Sequence, residues 1–366
     1  MKVNDIIRFL EAEAPASYQE SYDNAGLITG TGQESVTGVL FSLDCTEEVV
    51  AEAAAKGCNL IVAHHPIVFK GLKRFNGKNY VERTIISAIK LDICIYAIHT
   101  NLDNVHTGVN AKIASKLGLS NTRIMVPKQD TLLKLTVFVP NENEQELLNA
   151  LAEAGAGNIG NYKKCSFQLE GKGTFMPNEV AQPHIGEANK LETVAETRIE
   201  VLFPAHLKGQ VLAAMNHAHP YEEVAYYLHK LENTNQEVGS GMVGELDAPM
   251  DPKAFLHHLK NAMNLNVIKH TNLNVKDQIK KVAICGGAGS FLLGAAKASG
   301  ADIFITADYK YHEFFDAEER IIIADIGHYE SEVFTKNLLH DWVSKRFPEL
   351  NTVLCETNTN PVSYFV

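Results

Sequence analysis

Gly57-Cys58-Asn59-Leu60-Ile61-Val62-Ala63-His64-His65-Pro66 is the stretch that decides the fold. A glycine stops one element, four apolar residues follow, and the run ends on two histidines and a proline. An unbroken apolar run this short suits a strand buried on both faces, as in a parallel sheet. Just upstream, residues 39–43 read as another short strand. Thr46 is placed to cap a helix running to about Lys56, with Glu47 and Glu48 in its favourable first turn. Downstream, residues 81–90 read as a helix and 93–98 as a third strand, ending on His99-Thr100-Asn101-Leu102-Asp103. Residues 3–14 form an amphipathic helix before all of this. Strands alternating with helices indicate a parallel sheet with right-handed crossovers.

The same grammar returns near the C-terminus. Strands are expected at 281–285, 303–306 and 321–326, with helices at 290–298 and 311–317. Gly300-Ala301-Asp302-Ile303-Phe304-Ile305-Thr306 can be laid on Gly57 to Ala63, which brings Asp308 opposite His65. This reads as an internal duplication, two similar α/β halves facing each other; chance likeness between βαβ units is the competing explanation. Between the halves the pattern changes. Strand 133–139, helix 142–154, two strands in 161–176 around Gly171-Lys172-Gly173, strand 197–203, helix 205–217 and strand 224–231 follow a ferredoxin-like, split βαβ plan. Residues 178–196 read as an exposed loop, and Gly239-Ser240-Gly241 marks the return to the parent domain. The expected organisation is therefore 1–129 and 238–366 as two halves of one discontinuous α/β domain, with 130–237 inserted as an α+β domain.

The chain has 366 residues, 45 % hydrophobic and 21 % charged, enough for two or three domains with real cores. Its formal net charge of -11 argues against nonspecific binding to nucleic acid or anionic membranes, which need a basic surface. Lys2, Asp5, Arg8, Glu11 and Glu13 break any apolar signal segment at the start, and no stretch approaches a membrane span. The six cysteines are scattered with no CxxC, as expected of reduced thiols in a cytoplasmic protein.

Ligand-type residues gather where the strands end. In open α/β sheets the carboxyl edge is where ligands bind. His64 and His65 follow strand 60–63, Asp103 follows strand 93–98, and His328 and Glu332 follow strand 321–326. An i, i+4 spacing puts His328 and Glu332 on one face of a helix. Imidazole with carboxylate suits Zn, Fe, Mn or Co, and the lack of thiolate argues against a closed structural zinc site. An HH pair alone is more often structural, and so is HxxxE; their joint placement at strand ends is what points to metal. Five ligands leave room for water around two ions.

Other positions carry two readings each. His99 either orients a neighbouring ligand or acts in proton transfer, or simply fills a strand end. Asp308 and His312 are candidate proton-transfer groups or substrate contacts, against a solvated helix start. Asp23 could bond near the site or make an Asx turn before Gly26. Thr306, Gly287 and Gly289 are candidate substrate contacts. The loop Gly286-Gly287-Ala288-Gly289-Ser290 could cradle a phosphate or be a tight turn, and it lacks a Walker lysine. His217-Ala218-His219-Pro220-Tyr221-Glu222-Glu223 reads as turn and packing.

Taken together these pieces resemble one family, the Nif-three-like proteins, also called GTP cyclohydrolase 1 type 2 homologues. The resemblance is carried by Asp23-Asn24-Ala25-Gly26-Leu27, Ala63-His64-His65-Pro66, His99 to Asp103, Thr306-Ala307-Asp308, Gly327-His328-Tyr329-Glu330-Ser331-Glu332 and Asn358-Thr359-Asn360-Pro361. Ala307 stands where the family usually has glycine. The resemblance implies a dinuclear centre of two divalent ions (Zn, Fe or Mn) on His64, His65, Asp103, His328 and Glu332, with Glu332 bridging. It also implies a toroidal homohexamer and a CutA/PII-like insert. Two functions are compatible with it. One is a metal-dependent hydrolase acting on a nucleotide or small phosphorylated substrate, with GTP cyclohydrolase-like activity in view. The other is a noncatalytic metal-binding regulatory or scaffold assembly, with the insert as sensor or partner-docking module.

Overall fold

The computed structural model describes residues 1–365. In chain order the first segment holds α1 (Val3–Glu13), β1 (Gly26–Thr29), β2 (Val39–Ser42), α2 (Glu47–Ala55), β3 (Leu60–Ala63), α3 (Tyr80–Lys90), β4 (Cys94–Ala97), α4 (Thr100–Asp103), α5 (Val109–Leu117) and β5 (Ser120–Pro127). The insert holds β6 (Leu132–Pro140), α6 (Glu144–Glu153), β7 (Phe167–Phe175), β8 (Glu192–Pro204), α7 (Lys208–Ala218) and β9 (Tyr226–Lys230). The last segment holds β10 (Gly239–Met250), α8 (Pro252–Met263), β11 (Lys269–His270), β12 (Ile279–Ala288), α9 (Leu293–Ala298), β13 (Ile303–Ala307), β14 (Ile322–Asp325), α10 (His328–Glu332), α11 (Thr335–Arg346) and β15 (Thr352–Leu354). The chain divides into two compact units, 1–127 with 236–366, and 128–235.

The first unit contains two mixed sheets, ordered β1-β4-β3-β2-β15 and β11-β14-β13-β12-β10-β5. Each has three parallel strands at its heart, and each closes beside the last of them with an antiparallel edge, β1 on β4 and β11 on β14. The registers correspond: Val39 faces Leu60 in one sheet, and Val282 faces Ile303 in the other. That likeness of strand order and register is what a duplicated βαβ unit would leave. The halves are nevertheless interlocked. The C-terminal β15 pairs with β2, and β5 from the first segment pairs with β10. Each sheet takes an edge strand from the other half of the sequence.

Alternation along the strands places the cores. Val39, Phe41, Leu60, Val62 and Tyr96 face inward, as do Val282, Ile284, Ile303 and Ile305. Between them pack α1, α5, α8 and α11, through residues such as Ile6, Ile113, Phe255 and Leu339. On the outer faces, Leu40, Ile61 and Ile95 pack against α2 and α3, and Ala283, Phe304 and Ile323 against α9 and the turn at 311–317. Each fully buried Ile or Leu of this kind contributes about 1.5–3 kcal/mol. Helix ends follow the local chemistry. Thr46 Oγ1 accepts from Val49 N, and Asn79 and Asp251 cap α3 and α8.

The second unit has one antiparallel sheet ordered β7-β8-β6-β9, with α6 and α7 on one face. This is the βαββαβ strand order of the split βαβ plan. Three local expectations are corrected. Residues 161–176 give one strand rather than two, because Gly171 and Gly173 sit inside β7 and pair with Glu196 and Val194. The loop expected over 178–196 ends earlier, since β8 begins at Glu192. Residues 311–317 form a 3-10 helix rather than an α-helix.

Candidate metal centre

The carboxyl ends of the parallel strands of the first unit's two mixed sheets meet at one cluster. His64 and His65 leave β3, Asp103 ends the single turn of α4 after β4, and α10 after β14 carries both His328 and Glu332. Glu332 Oε2 lies 2.9 Å from His65 Nε2, 3.1 Å from His328 Nε2 and 3.9 Å from His64 Nε2. His64 Nε2 lies 3.5 Å from Asp103 Oδ1. Three groups of donor atoms fall within 4.8 Å of one another: His65, His328 and Glu332; His64, Asp103 and Glu332; and His64, His65 and His99. Glu332 thus belongs to two of them.

Each ring is aimed by what its other nitrogen does. His64 Nδ1 donates to the Ile98 carbonyl at 2.8 Å. His65 Nδ1 donates to Asp44 Oδ1 at 2.8 Å, His328 Nδ1 to Asp308 Oδ2 at 2.7 Å, and His99 Nδ1 to Asp23 Oδ1 at 2.8 Å. A carboxylate or carbonyl can only accept, so Nδ1 carries a proton in each ring and Nε2 is the nitrogen turned to the centre, an arrangement common among metal-ligating histidines. Nε2 would offer its lone pair to an ion once the proton that His65 and His328 share with Glu332 is displaced. His64 is fully buried and Glu332 is 3 % exposed, whereas the His328 side chain is 40 % exposed, so the cluster opens on the His328 side.

Two buried atoms test whether an ion fits. His64 Nε2 and Asp103 Oδ1 are both inaccessible and have no hydrogen-bond partner. Two lone-pair atoms facing each other without a donor are costly unless a proton or cation lies between them. The donor set suits a divalent ion.

Electrostatics agree. Burial opposes the charged form of His65, but its bonds to Asp44 and Glu332 outweigh that and raise it to about 10. For His328 burial is likewise outweighed by Glu332 and Asp308, giving about 9. Burial would raise Glu332, but His328, His64 and His65 hold it well below the usual carboxylate range. Asp103 goes the other way, pushed up by burial and by the charge of Glu332. A divalent ion would take the place of protons held here.

Glycines let the second sheet approach. A Cβ on Gly287, whose φ is +63°, would fall 2.5 Å from Glu332 Oε1, and one on Gly289 would fall 2.5 Å from Thr306 Oγ1. The amides of Gly286 and Gly287 donate to Asn110 Oδ1 and Ser331 Oγ, and Thr306 Oγ1 donates to the Gly287 carbonyl. These groups are engaged in building the wall beside Glu332. His312 lies apart from the cluster, its exposed ring stacked on Phe315 with centroids 6.5 Å apart.

Two contributors were missed in the sequence. Asp44 follows β2, and the strand-end rule that found His64 would also have found it. Asp325 ends β14, accepting from Tyr309 N and Gly327 N, and so braces the loops that carry Asp308 and His328.

The profile of the Duf34/NIF3 (NGG1p interacting factor 3) family matches residues 1–361. The chain belongs to the Duf34/NIF3 family. This NIF3-family protein is 38 % identical over 365 residues to the GTP cyclohydrolase 1 type 2 homolog of Bacillus subtilis, covering 98 % of this chain and 97 % of that one. It is 36 % identical to the protein of the same name from Staphylococcus aureus, with both chains covered fully. Among solved structures, the Bacillus cereus protein related to NIF3 superposes with a TM-score of 0.88 at 37 % identity, covering 100 % of this chain and 99 % of that one.

Proposed function

We propose that this NIF3-family protein is a hydrolase dependent on two divalent ions, Zn, Fe or Mn, acting on a nucleotide or small phosphorylated molecule. GTP imidazole-ring opening is the first reaction to try. The single observation that carries the reading is the position of Glu332, whose Oε2 is shared between a His65/His328 side and a His64/Asp103 side. When bound, such a pair of ions supplies an acidified water and a Lewis acid.

The chain's own residues do the rest. Glu332, His64, His65, Asp103 and His328 hold the ions. Asp23 accepts from His99 Nδ1 and from Thr100, which fixes the His99 ring against His64 and His65 with centroids 5.3 and 5.4 Å away. His99 Nε2 is then the atom placed to give or take a proton. Asp308 holds His328 in the orientation its ligand role needs. Substrate enters from the exposed His328 side.

Protein loaded in turn with Zn, Mn and Fe(II) should turn over a member of a nucleotide panel that begins with GTP. His65→Ala should abolish the reaction, and His99→Asn should retain metal while losing turnover. Turnover indifferent to His65→Ala would sink the reading.

A noncatalytic metal-binding regulatory assembly is the second reading. It is favoured by the insert, a compact unit with its own core and cavity, for which we keep the CutA/PII-like kinship as a proposal. It requires tight metal binding with no turnover across the panel. We also propose self-association as a homohexamer, to be measured by light scattering. A cytoplasmic location is supported by six cysteines that form no disulfide. Among the described residues no helix is long and apolar enough to cross a membrane.

A further inference from the structure

The helices of the insert cover one face of its sheet only. Leu135, Val137, Ile199 and Val201 point to α6 and α7. Phe138, Glu196, Arg198 and Tyr227 lie on the opposite face by strand alternation. There, the segment after β7 and the turn at Tyr221 close over the sheet and leave a cavity of about 580 Å³. That size suits a small organic molecule.

Its walls are aromatic and its base is a carboxylate. Phe138, Phe175, His184, Tyr221 and Tyr227 line it. Tyr221 meets Phe175 with ring centroids 5.8 Å apart and His184 at 6.4 Å. Glu196, 8 % exposed, also lines the cavity. Its Oε1 accepts from Tyr221 OH at 3.1 Å, and no Lys, Arg or His among the described residues forms an ion pair with it. Lys134 and Arg198 both pair with Glu200 instead, and Lys172, the other cation of the lining, forms no ion pair with Glu196 among the described residues.

The local sequence is arranged around that carboxylate. A Cβ on Gly173 would fall 1.9 Å from Glu196 Oε2, so glycine is what lets the side chain lie there. His219 is no counter-charge. Its Nε2 donates to the Phe138 carbonyl at 2.8 Å and its Nδ1 accepts from Tyr221 N at 3.1 Å, which fixes a neutral ring and pins Tyr221 over the sheet. Glu222 accepts from Gln182 N and so ties down the covering segment.

A buried carboxylate without a cation is expensive unless something supplies the charge. Aromatic faces attract cations as well. The remaining charges on the lining, Glu170, Glu222 and Glu223 against Lys172 and Arg198, also leave an acidic balance. We propose that this cavity is a binding site for a small organic cation with N–H donors on a flat apolar body, its charged nitrogen on Glu196 and its body among Phe138, Phe175 and Tyr221. The site is independent of whether the metal centre is catalytic.

Benzamidine is the probe, titrated calorimetrically into the full-chain protein beside benzamide and benzoate, its neutral and anionic counterparts. Benzamidine should bind saturably, about tenfold or more tighter than either. Glu196→Gln should weaken it about tenfold. Gly171→Val should also abolish binding. Gly171 lines the cavity, and a Cβ there meets nothing nearer than the Glu196 carbonyl oxygen at 3.9 Å, so valine fills space while leaving the carboxylate intact. Should Glu196→Gln fail to fold, Gly171→Val and the three-probe comparison on the unaltered protein decide. Equal binding of benzamide, preference for benzoate, or benzamidine binding undiminished by the folded variants would overturn the proposal.

Discussion

His64 Nε2 and Asp103 Oδ1 face each other at 3.5 Å, buried and without a hydrogen-bond partner. Asp103→Asn separates what a proton and a metal ion each do there. In the metal-free protein an amide can donate to His64 Nε2, and it removes a buried acid that Glu332 repels. That variant should be as stable as the unaltered protein or up to about 2 kcal/mol more so. It should also lose the stabilisation given by Zn or Mn, which at a thousandfold excess over Kd is about 4 kcal/mol in the unaltered protein. Thermal unfolding with and without EDTA measures both, and a variant still stabilised to the same extent by metal would remove Asp103 from the ligand set.

Asp44 stands outside the three donor groups, yet it holds His65 Nδ1 at 2.8 Å. Asp44→Asn leaves every ligand in place and weakens control of the His65 ring. Metal affinity, read by competition with a chromophoric chelator, should fall about 10–100-fold. Asp308→Asn should cost less, because the His328 and Asp308 side chains are both substantially exposed. Equal affinity in all three proteins would mean that the rings are fixed by packing alone.

These dependencies mark how far the sequence could be read. The β3 and β4 strands were legible because four apolar residues in a row, buried on both faces, leave few alternatives. His64 and His65 were legible because they directly follow β3, and Glu332 because its i, i+4 spacing from His328 puts both on one face of the helix after β14. The Asp44–His65 and Asp308–His328 bonds were not, since pairing across loops depends on tertiary placement. The exchange of β5 and β15 between sheets was hidden for the same reason: an edge strand carries no mark of its partner. Gly171 and Gly173 misled because glycine signals a turn locally, while here it yields space to Glu196.

Glu52 supplies the pH dependence. Its carboxylate accepts from Glu356 N, Thr357 N, Thr357 Oγ1 and Lys56 Nζ, and so ties the C-terminal segment to α2. Burial would raise Glu52, but these bonds outweigh it and hold it far below the ordinary 4.5. A depressed carboxylate contributes stability that is present above its unfolded value and lost as pH falls through its folded one. Glu52→Gln should therefore cost about 1–3 kcal/mol at pH 7, with the difference shrinking only below about pH 4.5. Urea unfolding of both proteins across pH 3–8 reads it; a constant difference over that whole range would show that the charge is immaterial.

Gly287 links the second sheet to the candidate metal centre. Its φ of +63° strains any side chain, and a Cβ would fall 2.5 Å from Glu332 Oε1. Its amide also donates to Ser331 Oγ, one residue before Glu332 in α10. Gly287→Ala must displace either the loop or the carboxylate. It should lose about 1–3 kcal/mol of stability, and metal affinity should fall with it because the Glu332 oxygens move relative to His65 and His328. Gly294 makes the control. It lies in α9 with nothing within 4 Å of a Cβ, so Gly294→Ala should be neutral or stabilising by up to about 1 kcal/mol. Urea denaturation gives the stability and chelator competition gives the affinity. If Gly287→Ala lost stability yet bound metal as tightly as Gly294→Ala, the close approach of this loop would be a matter of packing and not of holding Glu332 in place.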